Sequence, residues 1–147
     1  MRFRVIIDKE KEEEVVATVR EHTALIDEIE SLLRTHAGAD RIIGYSGDDI
    51  KLLSVSEIEC ITVLDGKIYA IDSNNHRYRL KQRLYELEQL LPSSFIRINK
   101  SALANESALD RLAVTYAGSV DAVFKCGYRE YISRRCFAQI KRRLESK

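Results

Sequence analysis

Residues 95–112 read FIRINKSALANESALDRL, and an apolar run at the start of this stretch leads directly into a polar cluster. Residues 95–98 have the β-prone character of a strand, so the polar residues Asn99, Lys100 and Ser101 are predicted to follow its end on a turn. Loops held at the ends of a rigid sheet commonly carry recognition residues. Amide, ammonium and hydroxyl groups there suit base edges and phosphates, although each residue alone is ordinary on a protein surface.

The sequence on both sides of this stretch is rich in short β-prone runs separated by turn sequences such as SGDD, LDG and SNN. This texture predicts a meandering antiparallel sheet. The runs are RIIGY, IKLLSV, IECITVL, KIYAID, HRYRL, FIRI, LAVTYA and VDAVFK. One helix is predicted between them, with Leu80, Leu84, Leu87 and Leu91 on one face and Pro92 at its end. A last helix is predicted after the capping residue Ser133. The fold class is therefore mostly β with a few helices, an α+β protein.

Residues 1–40 have a different texture from residues 41–147, and we expect this boundary to separate an extension from a main domain. The alternation in MRFRVIID and the β-branched run VVATV at residues 15–19 predict two strands. Thr23 is suited to cap a helix that ends near Thr35. Gly38 then suits the C-terminal cap. The front of the chain is thus predicted to be a strand–strand–helix extension, with a role in dimerisation or regulation.

The composition is that of an ordinary globular chain, with 147 residues, 45% hydrophobic and 32% charged. No apolar run approaches the length that crosses a bilayer, and the N-terminus lacks the features of a secretion signal. We therefore expect a cytoplasmic protein. The three cysteines include no C-x-x-C pair, so neither a disulfide framework nor a metal site is expected. We expect small, buried or half-buried thiols instead.

The net charge of +1 conceals two halves of opposite sign. Residues 1–62 hold 8 Lys/Arg against 14 Asp/Glu, whereas residues 63–147 hold 16 against 9. Such asymmetry suggests a polyanion partner for the basic part. Two solvated faces of opposite sign would give the same counts.

No motif in the sequence indicates an enzyme, a cofactor or a small-molecule substrate. The chain lacks G-x-S-x-G, a P-loop, H-E-x-x-H and a dinucleotide glycine fingerprint. Arg134 and Arg135 are more informative, because they directly follow the Ser133 cap. Cations in a first helical turn oppose the helix dipole, whereas a helix N-terminus with two arginines beside it suits a bound phosphate. Surface arginines with a mild energetic cost are the alternative.

Three stretches together resemble a known family. FIRINKSALANESALDRL resembles a pattern in which Phe-x-Arg and a polar triplet precede a β segment, and YREYISRRCFAQIKRRL resembles the closing strand and helix of that pattern. SEIECITVLDGKIYAI resembles its earlier strand–turn–strand. In their order along the chain, over about residues 41–145, they are similar to the LytTR-type DNA-binding domain of bacterial transcription regulators. The resemblance implies packed antiparallel sheets whose loops, rather than a recognition helix, enter successive major grooves.

The resemblance also implies which residues meet double-stranded DNA. Lys100 and Asn99 match the polar triplet, Arg135 matches a groove-contacting arginine, and Lys67 falls near a third contact region. Four more motif residues are implied to contact the DNA backbone or to support the loop; these are Arg97, Ser101, Asn105 and Arg134. The chain departs from the family where Asn-Lys-Ser replaces the commoner His-Arg-Ser. Lysine lacks the arginine fork, so this departure puts the base preference in doubt.

We therefore expect a homodimeric, sequence-specific regulator that binds repeated sites. About 40 residues are too few for a receiver domain, so the chain resembles small stand-alone members that act with a membrane-protein partner. Two other classes remain open. A protein-interaction module would use the acidic front, and an RNA-binding protein would use the same basic loops with Tyr128 and Tyr131 for stacking.

Overall fold

The computed structural model describes residues 2–11, 14–37 and 39–146. Three helices are separated along the chain by groups of short strands. The helices are α1 (Ala24–Ala37), α2 (Leu84–Leu90) and α3 (Arg134–Glu145). The strands are β1 (Arg41–Ser46), β2 (Asp49–Ser54), β3 (Ile58–Leu64), β4 (Lys67–Asp72), β5 (Arg77–Leu80), β6 (Phe95–Asn99), β7 (Ala102–Asn105), β8 (Leu109–Val114), β9 (Val120–Phe124) and β10 (Arg129–Ile132). Within the described residues, no helix is both long and apolar enough to cross a lipid bilayer.

The strands form two antiparallel sheets. The larger has seven strands in the order β2-β1-β5-β4-β3-β7-β6, and the smaller has three in the order β10-β9-β8. The predicted fold class, mostly β with a few helices, is confirmed. β7 was not predicted from the sequence, because its four residues ALAN carry little β propensity.

Two apolar cores lie on opposite faces of the seven-stranded sheet, which is why β3 is apolar along most of its length. Ile61 packs on the side of α2, with Leu84 and Leu87. Cys60, the neighbouring residue, packs on the other side with Phe124 of β9 and Ile140 of α3. A strand covered on both faces has no polar face to show, so its sequence does not alternate.

The helix α2 is shorter than predicted. Leu80 ends β5, and the helix begins at Leu84. Leu80, Leu84, Leu87 and Leu91 are nevertheless buried in one core, as the shared apolar spacing indicated. The predicted contacts are therefore correct although the predicted local geometry is wrong, since a strand end and a helix can place side chains in the same cluster.

Gly44 allows β1 to cross close to its neighbours. A Cβ at this position would lie 2.6 Å from Leu53 Cδ1 and 2.8 Å from Tyr78 Cβ. β1 pairs with β5 only through Tyr45 and Arg79. The hairpin of β1 and β2 therefore packs Ile42 and Leu53 into the α2 side of the sheet at close range.

The two strands predicted in the front of the chain are wrong. Residues 2–8 and 14–19 form neither helix nor strand, and their apolar side chains are exposed, with Phe3 at 91% and Ile7 at 86%. Alternation indicates a strand only where an edge is available to pair with it, and a lone hairpin is marginal in water. The predicted helix is confirmed as α1, which begins directly after Thr23.

Candidate nucleic-acid interface

Lys100 lies exposed on the tight turn between β6 and β7. Arg97 stabilises the backbone of this turn, because its Nη1 donates to the Lys100 carbonyl at 2.9 Å. The remaining nitrogens of Arg97 donate to both carboxylate oxygens of Glu88 on α2, at 3.0 and 2.8 Å. Arg97 thus joins the turn to a helix on the outside of the sheet.

Asn99 and Asn105 are buried, with 7% and 3% of their surface exposed. The Asn99 amide donates to the Tyr131 carbonyl at 2.6 Å, and its oxygen accepts from the Ser101 N–H at 2.7 Å. The Asn105 amide donates to the Ile58 carbonyl at 2.9 Å. The structure therefore gives both asparagines internal hydrogen bonds at the two ends of the β6–β7 hairpin, with their side chains turned away from solvent.

Lys67 is exposed at the start of β4, directly after the β3–β4 turn. This turn contains Asp65 and Gly66, both with positive φ angles, of 52° and 74°. The N–H of Val63 donates to the Ser101 carbonyl at 3.0 Å. The β3–β4 and β6–β7 turns therefore lie side by side at one end of the seven-stranded sheet.

The start of α3 joins the same end. The Ser133 N–H donates to the Ile98 carbonyl at 2.9 Å, so the helix begins beside the end of β6. The predicted cap is confirmed, since the Cys136 N–H donates to Ser133 Oγ at 3.2 Å. Arg134 and Arg135 follow in the exposed first turn, which holds no acidic residue. At the other end of α3, Arg143 Nη2 forms an ion pair with Oε2 of the buried Glu106 at 2.9 Å, which anchors the helix.

Glu130 on β10 connects the two sheets beneath this end of the molecule. Its carboxylate accepts from Tyr128 Oη at 2.7 Å, from Thr62 Oγ1 at 3.2 Å and from Asn99 Nδ2 at 3.2 Å. The pKa of Tyr128 is raised by burial and by the hydrogen bond to Glu130, so the phenol remains a donor. Sequence reasoning missed Thr62, Glu88 and Glu130. Only Thr62 carried a signal, as a polar residue inside the apolar strand run IECITVL.

The site residues predicted from the sequence divide into two groups. Lys67, Lys100, Arg134 and Arg135 are exposed cations at one end of the protein, and within the described part of the chain none of them forms an ion pair. Arg97, Asn99 and Asn105 are engaged internally, and Ser101 is half-buried with its backbone bonded on both sides. Four unpaired cations on three elements create a positive surface that would attract a polyanion.

Two of the three cysteines, Cys60 and Cys126, are poorly suited to act as nucleophiles. Burial raises the pKa of the Cys126 thiol, as it does for the fully buried Cys60. A reactive cysteine needs a lowered pKa, because the thiolate is the nucleophile. The expected buried and half-buried thiols are confirmed.

Comparisons with known proteins identify the family of this chain. The family model described as the LytTr DNA-binding domain matches residues 48–145. An uncharacterised HTH-type transcriptional regulator of Staphylococcus aureus (strain NCTC 8325 / PS 47) is 34% identical over 121 residues, which cover 82% of this chain and 79% of that protein. A counterpart from the bovine strain RF122 / ET3-1 is 32% identical over the same shares of each chain.

A solved structure shares the fold. The LytTr DNA-binding domain of a Bacillus cereus protein superposes with a TM-score of 0.65 at 21% identity, covering 73% of this chain and 98% of that one. The name of the Staphylococcus relatives refers to a helix-turn-helix, yet among the described residues no two helices follow each other directly. Strands separate every pair, and the exposed cations lie on turns and on one helix start. The chain belongs to the LytTR family of DNA-binding domains.

Proposed function

We propose that this protein is a sequence-specific transcriptional regulator that contacts duplex DNA with the end of the molecule formed by the β3–β4 turn, the β6–β7 turn and the start of α3. The observation that carries the proposal is the convergence of Lys67, Lys100, Arg134 and Arg135 there, exposed and with no ion pair to any residue that the structure describes. Clustered unpaired cations do not stabilise the fold, whereas they bind a phosphate backbone favourably because counterions are released.

Exposure separates the residues proposed to contact DNA from those proposed to support the loops. Lys100, Arg135 and Lys67 read base edges in successive major grooves, where Arg and Lys pair with the guanine acceptors. Arg134 contacts phosphate beside the helix N-terminus. Ser101 lies next to Lys100 on the same turn and contacts the DNA backbone there. Arg97, Asn99 and Asn105 hold the loops in place, because their polar groups are already occupied.

We further propose a homodimer on repeated half-sites, with residues 1–40 as an extension that serves dimerisation and residues 41–147 as the DNA-binding domain. Two copies double the number of groove contacts, and a two-fold protein suits a palindromic site. β1 and β2 lie before or at the start of the family match, yet they belong to the same sheet as the rest of the domain. Regulation by a membrane protein stays a prediction.

The test is selection of bound fragments from sheared bacterial genomic DNA, at near-physiological salt and again at higher salt. A short recurring motif that survives the higher salt supports the proposal, because base contacts remain when counterion release is suppressed. The Lys100→Ala, Arg135→Ala double variant should lose the motif. Lys125→Ala is the matched control, since Lys125 is exposed on the β9–β10 turn next to Ala108 and away from Ser133. Random fragments that vanish with salt would overturn the proposal.

A further inference from the structure

One face of the β1–β2 hairpin is apolar and uncovered. The cross-strand pairs Ile43–Leu52 and Tyr45–Ile50 place four side chains on this side, which we name the open face. Ile43, Ile50 and Leu52 are 44%, 69% and 62% exposed. The other side of the same hairpin is buried against α2 through Ile42 and Leu53. A hairpin with two apolar faces is expected to have both of them covered.

The open face continues a surface that is covered elsewhere. One cross-strand row runs across the sheet from β7 to β1 through Ala102, Thr62, Tyr69, Arg79 and Tyr45. Ala102 and Thr62 are buried, and Thr62 reaches Glu130 of the smaller sheet. Arg79 is exposed. The cover provided by the smaller sheet and α3 therefore ends between β3 and β5.

The helix α1 is the complementary feature. Its apolar positions follow helical spacing. Leu25, Leu32 and Leu33 are 46%, 58% and 40% exposed, whereas Ile26 and Ile29 are half-buried, so this stripe is only partly covered. A 14-residue helix is marginal in water by itself. It is stabilised when an amphipathic face finds an apolar surface.

The helix cannot easily reach its own open face. After α1, the Ala39 N–H donates to the Leu90 carbonyl of α2, and the Asp40 carbonyl accepts from the Val55 N–H, both at 2.9 Å. α2 packs on the Ile42 and Leu53 side of the hairpin, opposite the open face. With β1 starting at residue 41, the chain has no free length to carry α1 around the sheet edge.

Charge favours contact between α1 and an open face. Glu28 is exposed on α1, as is Asp27, which also contacts His22 Nε2 at 2.6 Å. Cations surround the open face, with Arg41 two residues before Ile43, Arg79 paired with Tyr45, and Lys81 Nζ 4.4 Å from the centre of the Tyr45 ring. The apolar side chains between these cations suit a helix better than a nucleic acid.

The Staphylococcus relatives share this part of the chain. Their similarity extends over 121 residues, whereas the family model begins at residue 48. In a chain of 147 residues, a stretch of 121 cannot begin after residue 27. The matched region therefore includes both β1 and most of α1.

From these observations we infer that two copies of this chain exchange their α1 helices, each helix lying with its leucine stripe on the open face of the other copy. This inference rests on the proposed homodimer and names its surface. The exchange is isologous, so each dimer contains the contact twice.

The test is sedimentation velocity of the full chain without DNA over a range of concentrations. Leu32→Glu on the helix and Leu52→Glu on the open face should each raise the dimer dissociation constant by at least about tenfold. Val114→Glu is the matched control, because Val114 is a strand residue that is 75% exposed on the smaller sheet. Circular dichroism checks that all three variants keep the wild-type spectrum.

Mixing the two variants distinguishes exchange from other contacts. A heterodimer of a Leu32→Glu chain and a Leu52→Glu chain keeps one intact contact, so the mixture should associate more tightly than either variant alone. A monomeric wild type, variants that dimerise like wild type, or a mixture no tighter than its components would each overturn the inference. Because no DNA is present, a dimer that binds no duplex would leave it standing while removing the proposed function.

Discussion

The side chain of Asn99 joins the two parts of the proposed DNA-binding surface, since its amide donates to the Tyr131 carbonyl at 2.6 Å while its oxygen accepts from the Ser101 N–H at 2.7 Å. The first bond fixes the strand that leads into α3, and the second fixes the turn that carries Lys100. A single buried amide therefore connects the elements that carry Lys100 and Arg135, although it is itself turned away from the surface.

Asn99→Ala should weaken specific DNA binding more than its effect on folding explains. Removal of the amide leaves the Tyr131 carbonyl and the Ser101 N–H without this partner, which costs about 1–3 kcal/mol of unfolding free energy. The measurements are urea unfolding and fluorescence anisotropy with the selected fragment, below the unfolding transition. Asn74→Ala, on an exposed turn elsewhere, is the control. Unchanged affinity in a folded Asn99→Ala protein would contradict the positioning role.

Arg97 and Glu88 should behave as one unit. If Arg97 holds the Lys100 turn, both Arg97→Lys and Glu88→Gln should lower the ratio of specific to non-specific affinity, by roughly fivefold for about 1 kcal/mol of lost hydrogen bonding. If Arg97 instead contacts DNA directly, Glu88→Gln releases it and the ratio should hold or rise. Anisotropy with specific and scrambled duplexes separates these outcomes. Glu145→Gln, an exposed carboxylate beside Lys141, controls for the change in charge.

Asn99 also shows how far the sequence could be used. The strand, the turn and the exposed Lys100 were predictable from propensity and turn chemistry, as was the Ser133 cap. The direction of the Asn99 side chain was not, because the β6–β7 register shifts between Arg97 and Asn99. This irregularity leaves Ile98 and Asn99 both buried, which strict alternation cannot give.

The prediction of two strands at the front of the chain was wrong for a different reason. The alternation at Phe3, Val5 and Ile7 is a correct strand pattern, but a pattern does not reveal whether a free edge lies nearby. The same limit hid Glu130, because its partners Thr62 and Asn99 are distant in sequence. Apolar spacing and helix caps can be predicted from the local sequence, whereas contacts between separate hairpins depend on the complete fold.

Arg135→Ala should remove about 1–3 kcal/mol of specific binding free energy, as expected for a base contact by a good bidentate pair. Arg134→Ala should weaken specific and non-specific binding alike and reduce the slope of log affinity against log salt by about 1. Titrations at three salt concentrations give both quantities. A folded Arg135→Ala protein with wild-type affinity for the selected motif would remove Arg135 from the proposed interface.

Tyr128→Phe should flatten the loss of stability at alkaline pH. Burial and the Glu130 hydrogen bond raise the pKa of Tyr128 above its ordinary value of 10.0. The unfolded chain therefore releases this proton at lower pH than the folded protein, so unfolding becomes easier as the pH rises above about 10. Urea unfolding between pH 8 and 11 should show a smaller decline in Tyr128→Phe than in wild type. Tyr116→Phe, a fully exposed control, should follow wild type.

Lys100→Arg should change which bases are preferred while keeping the dependence on salt. Both side chains carry one positive charge, so the number of released counterions is the same. Only arginine presents a planar fork, which pairs with guanine O6 and N7 through two hydrogen bonds. Selection from a library randomised around the bound motif should therefore show a stronger guanine preference at the contacted position. Lys125→Arg is the matched control and should leave the profile unchanged. An identical profile for Lys100→Arg would place Lys100 on the phosphate backbone instead of on a base edge.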